Sequence, residues 1–259
     1  DSYFINPVNQ RGKSAYTGAG YTIDRWRQSN AYSTTEVGSG FVRFAASGGI
    51  AYPRQYVQFY PGMYGKWYTA AVCTTDGAIT VASALITEDA VDTETTLASA
   101  TIASGVMLRL TKATDSRISV RIDVSDGNSV SLRWAALYEG AFTKDNLPPY
   151  EYKGCSVELL ECERYCFVIS QYALYHHAII NANTITFTVP IPTRMRLKPS
   201  IESGTLLVCN ANGVVQSGFT FAVEVLGNGF VRITATKTAH GLTSAVLRAD
   251  TDIVLSSDL

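Results

Sequence analysis

The sequence predicts an all-β protein with an N-terminal jelly-roll β-sandwich, a short connecting helix and a smaller C-terminal β-sandwich domain. Three observations indicate this fold class. Short stretches of alternating apolar and polar residues follow one another, with turn residues between them. The 15 tyrosines, together with abundant threonine and valine, favour strands. Residues 156–166 form the only stretch with the spacing of an amphipathic helix.

Predicted strands fill the first part of the chain. Residues 4–12 are expected to form a strand that ends in a turn. The clearest strand runs from Ile118 to Val124, where apolar residues at every second position share one buried face. That strand belongs to the predicted range 116–124, and further strands are predicted at 40–46, 51–59, 66–74, 78–86, 95–103, 106–112 and 129–138. Many short strands without helices between them are typical of a two-sheet sandwich or jelly roll.

A hairpin turn is predicted at residues 126–128, because the sequence Asp-Gly-Asn favours the tight turns that join paired strands. The apolar period then resumes with Val130, Leu132, Trp134 and Ala136. These four side chains are expected to face the core. Trp26 is assigned to the core as well.

A domain junction is predicted around Pro148-Pro149, since two consecutive prolines fit neither a helix interior nor a central strand. In the helix that follows, Ser156 is the expected N-cap. One helix face is expected to hold Leu159, Cys162, Cys166 and Ile169. The predicted domains are therefore the jelly-roll sandwich, the linker with its helix, and the C-terminal β domain, at 1–147, 148–170 and 171–259.

The C-terminal part again shows strand periodicity. A strand is expected directly after the helix, at 167–169, and others at 184–192, 206–209, 219–225, 230–236 and 245–249. Hairpin turns are predicted at 212–213 and 227–229, where asparagine and glycine adjoin.

Composition argues against two classes of partner. The chain has 259 residues, 17% of them charged, and a net charge of -1, with lysine and arginine scattered singly. A nucleic-acid binder usually carries a basic patch, so no nucleic-acid partner is expected. No apolar stretch approaches the ~20 residues of a membrane span, so no membrane insertion is expected. Because the chain begins at Asp1, we expect it to be part of something longer or processed.

No catalytic, metal or cofactor site is predicted. The five cysteines are irregularly spaced and are interpreted as reduced thiols. Zinc sites usually contain a close cysteine pair, which is missing here. Residues 88–92 hold three acidic side chains but lack the calcium-loop spacing. The chain also lacks a G-x-S-x-G turn, a phosphate-binding loop and an evident pair of catalytic carboxylates.

Two aromatic clusters are candidate ligand-binding sites. The first is expected to be a polar loop between strands and contains Tyr172, Tyr175, His176 and His177. The second surrounds a turn-rich segment, and its candidate binding residues are Tyr60, Tyr64 and Trp67. Exposed aromatic rings stack on sugar faces, and loops often carry binding groups. The alternative for the first cluster is a loop or subunit contact without a ligand.

Four ordered motifs resemble bacteriophage and prophage tail-fibre or appendage receptor-binding proteins. They are Asn9-Gln10-Arg11-Gly12 with Tyr21-Thr22-Ile23-Asp24-Arg25-Trp26, then Trp134-Ala135-Ala136-Leu137-Tyr138-Glu139-Gly140, then Leu159-x-x-Cys162-x-Arg164-Tyr165, and finally Val189-Pro190-Ile191-Pro192. Tyr138 and Cys166 depart from the usual pattern. The resemblance implies a carbohydrate-binding-module-like jelly roll, a connecting helix and a C-terminal β domain. It also implies a homotrimer on a virion that contacts a bacterial surface.

The resulting hypothesis is a non-enzymatic virion protein of the tail or appendage that binds a host-surface glycan. It would assemble in the bacterial cytoplasm with other virion proteins and act outside the cell. Tethering several weak sites on one particle raises avidity by on the order of 10²–10⁴. One alternative is a polysaccharide depolymerase or esterase with a β targeting module. Another is a purely structural virion component.

Overall fold

The computed structural model describes residues 2–23, 25–57, 60–88, 91–114, 117–195, 197–225 and 229–257. The chain forms two compact units, 1–153 and 154–259. Both consist of β-strands, and within the described ranges the one α-helix is Cys155–Glu163. The predicted fold class is therefore confirmed. The division at 153 differs from the predicted boundaries at 147 and 170, since the proline linker groups with the first unit and the helix with the second.

The first unit contains thirteen strands. They are β1 (Ser2–Tyr3), β2 (Ala15–Thr17), β3 (Gly20–Tyr21), β4 (Trp26–Gln28), β5 (Ser33–Gly38), β6 (Phe41–Ala46), β7 (Pro53–Val57), β8 (Trp67–Thr74), β9 (Ile79–Leu85), β10 (Thr95–Ala103), β11 (Val106–Lys112), β12 (Ile118–Val124) and β13 (Ser129–Glu139). A turn of 3-10 helix, Pro61–Met63, lies between β7 and β8.

Most strand predictions for this unit are confirmed. Those for β10 and β11 match both ends, and those for β6, β8, β9 and β13 match to within one residue at each end. The strand predicted at 4–12 is wrong, because Pro7 offers no backbone N–H and Gly12 has a φ of 68° that suits a turn. Residues 58, 59 and 116, at the ends of two other predicted strands, lie outside the described residues.

The first unit is a sandwich of two antiparallel sheets. One has the order β2-β5-β6-β13-β8-β9, with β1 also paired to β13, and the other has the order β10-β11-β12-β7-β4-β3. Apolar side chains of both sheets meet in one core. Near its centre Trp26 is fully buried, with ring centroids 5.1 Å from Phe44 and 5.5 Å from Phe4. The assignment of Trp26 to the core is confirmed.

A bulge in β13 makes the predicted core position of Trp134 wrong. The pairing of β13 with β8 shifts register between Leu132 and Trp134. Because the extra residue of a bulge inverts the alternation of side chains, Ala135 joins the core in place of Trp134. The Trp134 ring instead stacks on Tyr150, with centroids 5.0 Å apart and an interplanar angle of 20°.

Aromatic rings also attach the proline linker to the first unit. The ring of Tyr3 in β1 lies 5.8 Å from the ring of Tyr150 and 4.5 Å from the ring of Tyr152. Together with Trp134, these residues form an aromatic clamp that joins the segment after Pro148-Pro149 to β1 and β13. This contact explains why the linker belongs to the first unit.

The turn at residues 126–128 exists, but the predicted hairpin is wrong. Gly127 has a φ of 73°, as a tight turn requires, yet β12 and β13 lie in opposite sheets. The Asp126 carboxylate accepts a hydrogen bond of 2.7 Å from the backbone N–H of Gly48. An Asp-Gly pair therefore fixes the turn without deciding whether the flanking strands pair.

The second unit contains α1 (Cys155–Glu163) and ten strands. They are β14 (Cys166–Ile169), β15 (Leu174–Ile180), β16 (Thr184–Pro190), β17 (Ser200–Ser203), β18 (Leu206–Asn210), β19 (Val215–Gln216), β20 (Thr220–Val225), β21 (Phe230–Thr236), β22 (Ala245–Ala249) and β23 (Ile253–Ser256). The strands predicted at 230–236 and 245–249 are confirmed in full. The hairpin turn at 212–213 joins the paired β18 and β19 as predicted, whereas residues 227 and 228 lie outside the described part of the chain.

Two sheets share the core of the second unit. A three-stranded sheet has the order β14-β23-β17, and a seven-stranded sheet has the order β19-β18-β22-β15-β16-β21-β20. Fully buried apolar side chains such as Phe187, Ile233 and Leu247 lie between them. The smaller C-terminal sandwich is therefore confirmed. In the described ranges no helix has the length and apolarity to cross a membrane.

The details of α1 correct two predictions. The helix begins one residue before Ser156, so its N-cap is Gly154 and no side chain caps it. It also ends at Glu163, which places Cys166 and Ile169 in β14 instead of on the helix face. The strand predicted directly after the helix is confirmed, and both of these side chains are buried there.

Candidate functional site

The described residues of the first unit enclose a cleft of about 370 Å³ where the ends of several strands meet. Both sheets contribute to it: Gln55, Tyr56 and Val57 come from the end of β7, while Tyr68 and Glu139 come from β8 and β13. The segment that follows β7 adds the ring of Tyr60 and the side chain of Met63. We call this site the tyrosine cleft, because three of its lining side chains are Tyr56, Tyr60 and Tyr68.

Apolar packing gives the tyrosine cleft a fixed base. Met63 and Val120 line it and are almost completely buried in the core beneath it. Tyr60 is 54% exposed, so its ring is available at the rim. Aromatic rings over an apolar base, with a few polar groups between them, are the usual lining of a small-molecule site.

The polar end of the tyrosine cleft is organised by Glu139. Its carboxylate accepts a hydrogen bond of 2.7 Å from Lys66 Nζ and one of 3.2 Å from the Tyr68 hydroxyl. The hydrogen bond from Lys66 lowers the pKa of Glu139, and the same contact raises the pKa of Lys66. Burial, reinforced by the charge of Glu139, raises the pKa of Tyr68 to about 12. Near neutral pH the cleft therefore presents an ionised carboxylate and a neutral phenol.

A second polar group lies on the β7 side of the cleft. With the Gln55 amide oriented so that its oxygen faces Arg25, it accepts hydrogen bonds from Arg25 Nε at 3.2 Å and from Nη2 at 3.3 Å. The amide NH₂ of Gln55 then faces the Ser2 hydroxyl at 3.3 Å and donates one of its two hydrogens to it. Lys153 adds an ammonium group to the lining. The arrangement offers both donors and acceptors to a polar ligand.

The structure separates the members of the second predicted aromatic cluster. Tyr60 lines the tyrosine cleft, but Tyr64 and Trp67 do not. Tyr64 packs against the core, with Lys112 Nζ 5.7 Å from its ring centroid. Trp67, at the start of β8, is 48% exposed. Tyr56 and Tyr68 line the cleft instead. The only sequence signal for these two tyrosines is that they lie close to Tyr60, Tyr64 and Trp67 in the chain.

The first predicted cluster is not a loop. Leu174–Ile180 forms β15, so Tyr175 and His177 lie on one face of a strand and His176 on the other. Tyr175 packs against the core, and burial raises its pKa. The Nδ1 atom of His177 accepts a hydrogen bond of 3.3 Å from the backbone N–H of Ala245. Tyr172, before the strand, is 69% exposed.

These contacts therefore do not bring Tyr172, Tyr175, His176 and His177 together on one surface. The alternation of the strand explains this, since neighbouring residues in a strand point to opposite faces. The predicted binding loop at these positions is wrong as a local structure.

Metal ligands do not converge in the described part of the chain. Among those residues, no group of three or more histidine, cysteine or acidic side chains is placed to hold an ion. Of the five cysteines, Cys155 is exposed and the other four are buried. Of the described residues that line the tyrosine cleft, Glu139 is the only carboxylate.

Comparison with known proteins yields no relative. The sequence matches no protein-family model, no curated protein and no solved structure. The geometry of the site and the motifs of the sequence are therefore what remains to support a function.

Proposed function

We propose that this chain is a non-enzymatic virion protein of a bacteriophage tail or appendage, which binds a glycan on the host surface as a receptor-binding protein. The tyrosine cleft is the observation that carries the proposal. It combines exposed aromatic surface, a rigid apolar base and fixed polar groups, which are the features that bind a sugar ring. The resemblance of four sequence motifs to tail-fibre proteins supports the virion setting.

The tyrosine cleft offers a saccharide two kinds of contact. Sugar rings have apolar faces formed by C–H groups, and such a face stacks on the exposed ring of Tyr60. Sugar hydroxyls donate to the Glu139 carboxylate and accept from the Gln55 amide. Because Glu139 is already held by Lys66 and Tyr68, it needs little reorganisation when a sugar binds.

Binding without hydrolysis agrees with the carboxylates of the cleft. Glycosidases flank the scissile bond with a pair of carboxyl groups. Glu139 is the single carboxylate among the described lining residues, and its lowered pKa suits a hydrogen-bond acceptor better than a general acid. We therefore propose adhesion rather than depolymerisation.

Self-association as a homotrimer is part of the proposal, together with contacts to other virion proteins. The described residues of the second unit expose nine large apolar side chains, which are Val157, Leu160, Tyr172, Leu174, Ile179, Leu197, Val214, Val215 and Phe230. A contiguous apolar surface marks a protein contact, and the support for one here is that Leu174 and Ile179 are both exposed in the same strand, β15. Several tethered copies convert weak glycan binding into firm adhesion. The protein would be assembled in the bacterial cytoplasm and act outside the cell.

The deciding experiment is glycan-array and whole-cell binding by the purified chain. Tyr60→Ala is expected to weaken glycan binding about tenfold, through the loss of ring stacking. Tyr172→Ala removes an exposed tyrosine from the second unit and serves as the matched control. Binding that is absent from all glycans and host cells, or that is lost with Tyr172→Ala and kept with Tyr60→Ala, would refute the proposed site. Release of reducing sugar would establish an enzyme instead.

The oligomer is tested separately by light scattering. The chain is expected to be trimeric at micromolar concentration, and Leu174→Lys, at an exposed position of β15, is expected to weaken the trimer. A wild-type monomer at these concentrations would contradict the proposed self-association.

A further inference from the structure

The outer face of one sheet of the first unit carries four arginines in a single row. Strand register places Arg109 opposite Arg121, Arg121 opposite Arg54, and Arg54 opposite Arg27, across β11, β12, β7 and β4. We call these residues the arginine row. Neighbouring strands are about 4.8 Å apart, so the row is about 14 Å long. Adjacent residues such as Leu110, Val120 and Trp26 face the core, which places the row on the opposite face.

Two carboxylates neutralise part of the arginine row. Glu94 Oε1 lies 2.8 Å from Arg54 Nη1 and 2.8 Å from Arg121 Nη1. Asp123 lies 2.7 Å from Arg121 Nε and 2.5 Å from Arg109 Nε. Arg27 forms no ion pair with any described residue, and its guanidinium lies 6.0 Å from the ring centroid of Tyr21. Three guanidinium groups therefore share two carboxylates, and the guanidinium of Arg27 has no carboxylate partner among the described residues.

This arrangement costs stability in the isolated molecule. Like charges directly opposite one another in a sheet repel, and the side chains of Arg54 and Arg121 are only 8% and 14% exposed. The Nε–H group of Arg54 is buried and has no acceptor among the described residues. A partly buried cation is stable when an oxyanion accepts its N–H groups. The row is short of such acceptors.

We infer that the arginine row binds an anionic surface polymer whose repeating units carry phosphate or carboxylate groups. The planar guanidinium fork matches either oxyanion with two parallel hydrogen bonds. Tyrosine rings next to the row, including Tyr52 at 5.1 Å from the guanidinium of Arg121, offer apolar surface to the backbone of the polymer. Arg109 and Arg27, at the two ends of the row, are partly exposed, so a ligand whose anionic units are about 14 Å apart can contact both.

This site is distinct from the tyrosine cleft, with which it shares no residue. Tyr56 lies between them, because it lines the cleft and its ring centroid is 5.8 Å from the guanidinium of Arg54. The two sites also differ in chemistry, since the cleft suits an uncharged sugar ring. Ligand binding at the arginine row and ligand binding at the tyrosine cleft are therefore separate proposals, and either can hold without the other.

The test is calorimetric titration of the full chain with three short oligomers: a uronic-acid oligosaccharide, a glycerol-phosphate oligomer and an uncharged glucose oligosaccharide. Wild-type protein is expected to bind at least one of the two anionic oligomers, and the one that binds identifies the oxyanion. Arg27→Gln is expected to weaken that binding about tenfold, the loss typical of a charge-assisted hydrogen bond. Arg43→Gln on the opposite sheet, which removes an exposed guanidinium, is the matched control and is expected to bind normally.

Two further measurements exclude a folding artefact. Glu94→Gln removes a competing carboxylate and is expected to tighten anion binding, a gain that misfolding does not produce. Raising the salt concentration from about 0.05 to 0.5 M is expected to weaken it by screening. If neither anionic oligomer binds, or if Arg27→Gln and Arg43→Gln bind as wild type does, the inference is overturned. The proposed glycan binding of the cleft is judged independently by Tyr60→Ala and an uncharged glycan.

Discussion

Glu94 lies outside the regular strands, directly before β10, but we expect it to stabilise the first unit strongly. Its carboxylate accepts hydrogen bonds from Arg54, Arg121 and the hydroxyl of Thr111, at 2.8 to 3.0 Å. Arg54 is 8% exposed and Glu94 is 30% exposed, so their ion pair is partly shielded from water. Breaking a buried pair from one side costs about 3–5 kcal/mol. Allowing for the exposed part of Glu94, we expect Glu94→Gln to cost about 2–3 kcal/mol.

The pH dependence of this stabilisation has a definite sign. Burial alone raises the pKa of Glu94, but the hydrogen bond and charge of Arg54 and the charge of Arg121 outweigh it, so the pKa lies below its ordinary value. A depressed folded-state pKa means that the contribution is complete above the unfolded pKa of about 4.3 and is lost as the pH falls through the folded pKa. The difference between wild type and Glu94→Gln should therefore be largest near neutral pH and shrink in acid.

Urea unfolding followed by tryptophan fluorescence measures this effect in the correct unit, because Trp26, Trp67 and Trp134 all lie in the first unit. The control is Glu36→Gln, whose partner Arg43 forms an ion pair with both side chains 43% exposed. Such an exposed pair contributes less than about 1 kcal/mol. Equal, small losses for both variants, or a Glu94→Gln effect that is unchanged in acid, would refute the reasoning.

Three other changes have predictable results. Phe44→Ala, at a fully buried ring, should cost about 3–5 kcal/mol in urea unfolding, and a loss below about 1 kcal/mol would contradict the packing. Gly204→Ala should lower thermal stability by about 2 kcal/mol or more, because φ is +103° and the new Cβ meets the carbonyl of Asp252. Gly213→Ala is the control, because Gly213 also has a positive φ, +77°, but has open space around a new Cβ; it should lower the stability about half as much. Thermal unfolding followed by circular dichroism measures both losses. In an absorbance titration of the folded protein, Tyr68→Phe should remove one tyrosine with a pKa of about 12. Because the folded-state pKa of Tyr68 lies above its unfolded value, the neutral phenol stabilises the fold fully below about pH 10, and this stabilisation is lost as the pH rises towards 12.

Regular strands with one buried face are the part of the fold that sequence reasoning recovers. The ends of β10, β11, β21 and β22 follow from the alternation of apolar and polar residues, which is a local property. The sequence does not predict β15, because the strand has no apolar buried face opposite a polar exposed one: the apolar side chains of Leu174 and Ile179 are both more than half exposed. When apolar side chains lie on the exposed face of a strand as well, the sequence lacks the alternation of apolar and polar residues that predicts a strand.

The proposed binding surfaces depend on strand pairings that local sequence patterns do not contain. Tyr68 and Glu139 are 71 positions apart in sequence and meet only because β8 pairs with β13. The bulge that turns Trp134 outward likewise arises from pairing between these two strands. The arginine row is scattered singly along the sequence, which is why composition indicated no basic patch. It becomes a row only through the register of four strands.

The aromatic clamp bears on how such a protein can be rearranged in evolution. Because the ring of Tyr3 contacts the rings of Tyr150 and Tyr152, the first and last described segments of the first unit lie next to each other. A domain with adjacent ends can be inserted into a loop of another protein, or removed from it, with little disturbance of the host chain. The first unit thus has the geometry of an exchangeable cassette.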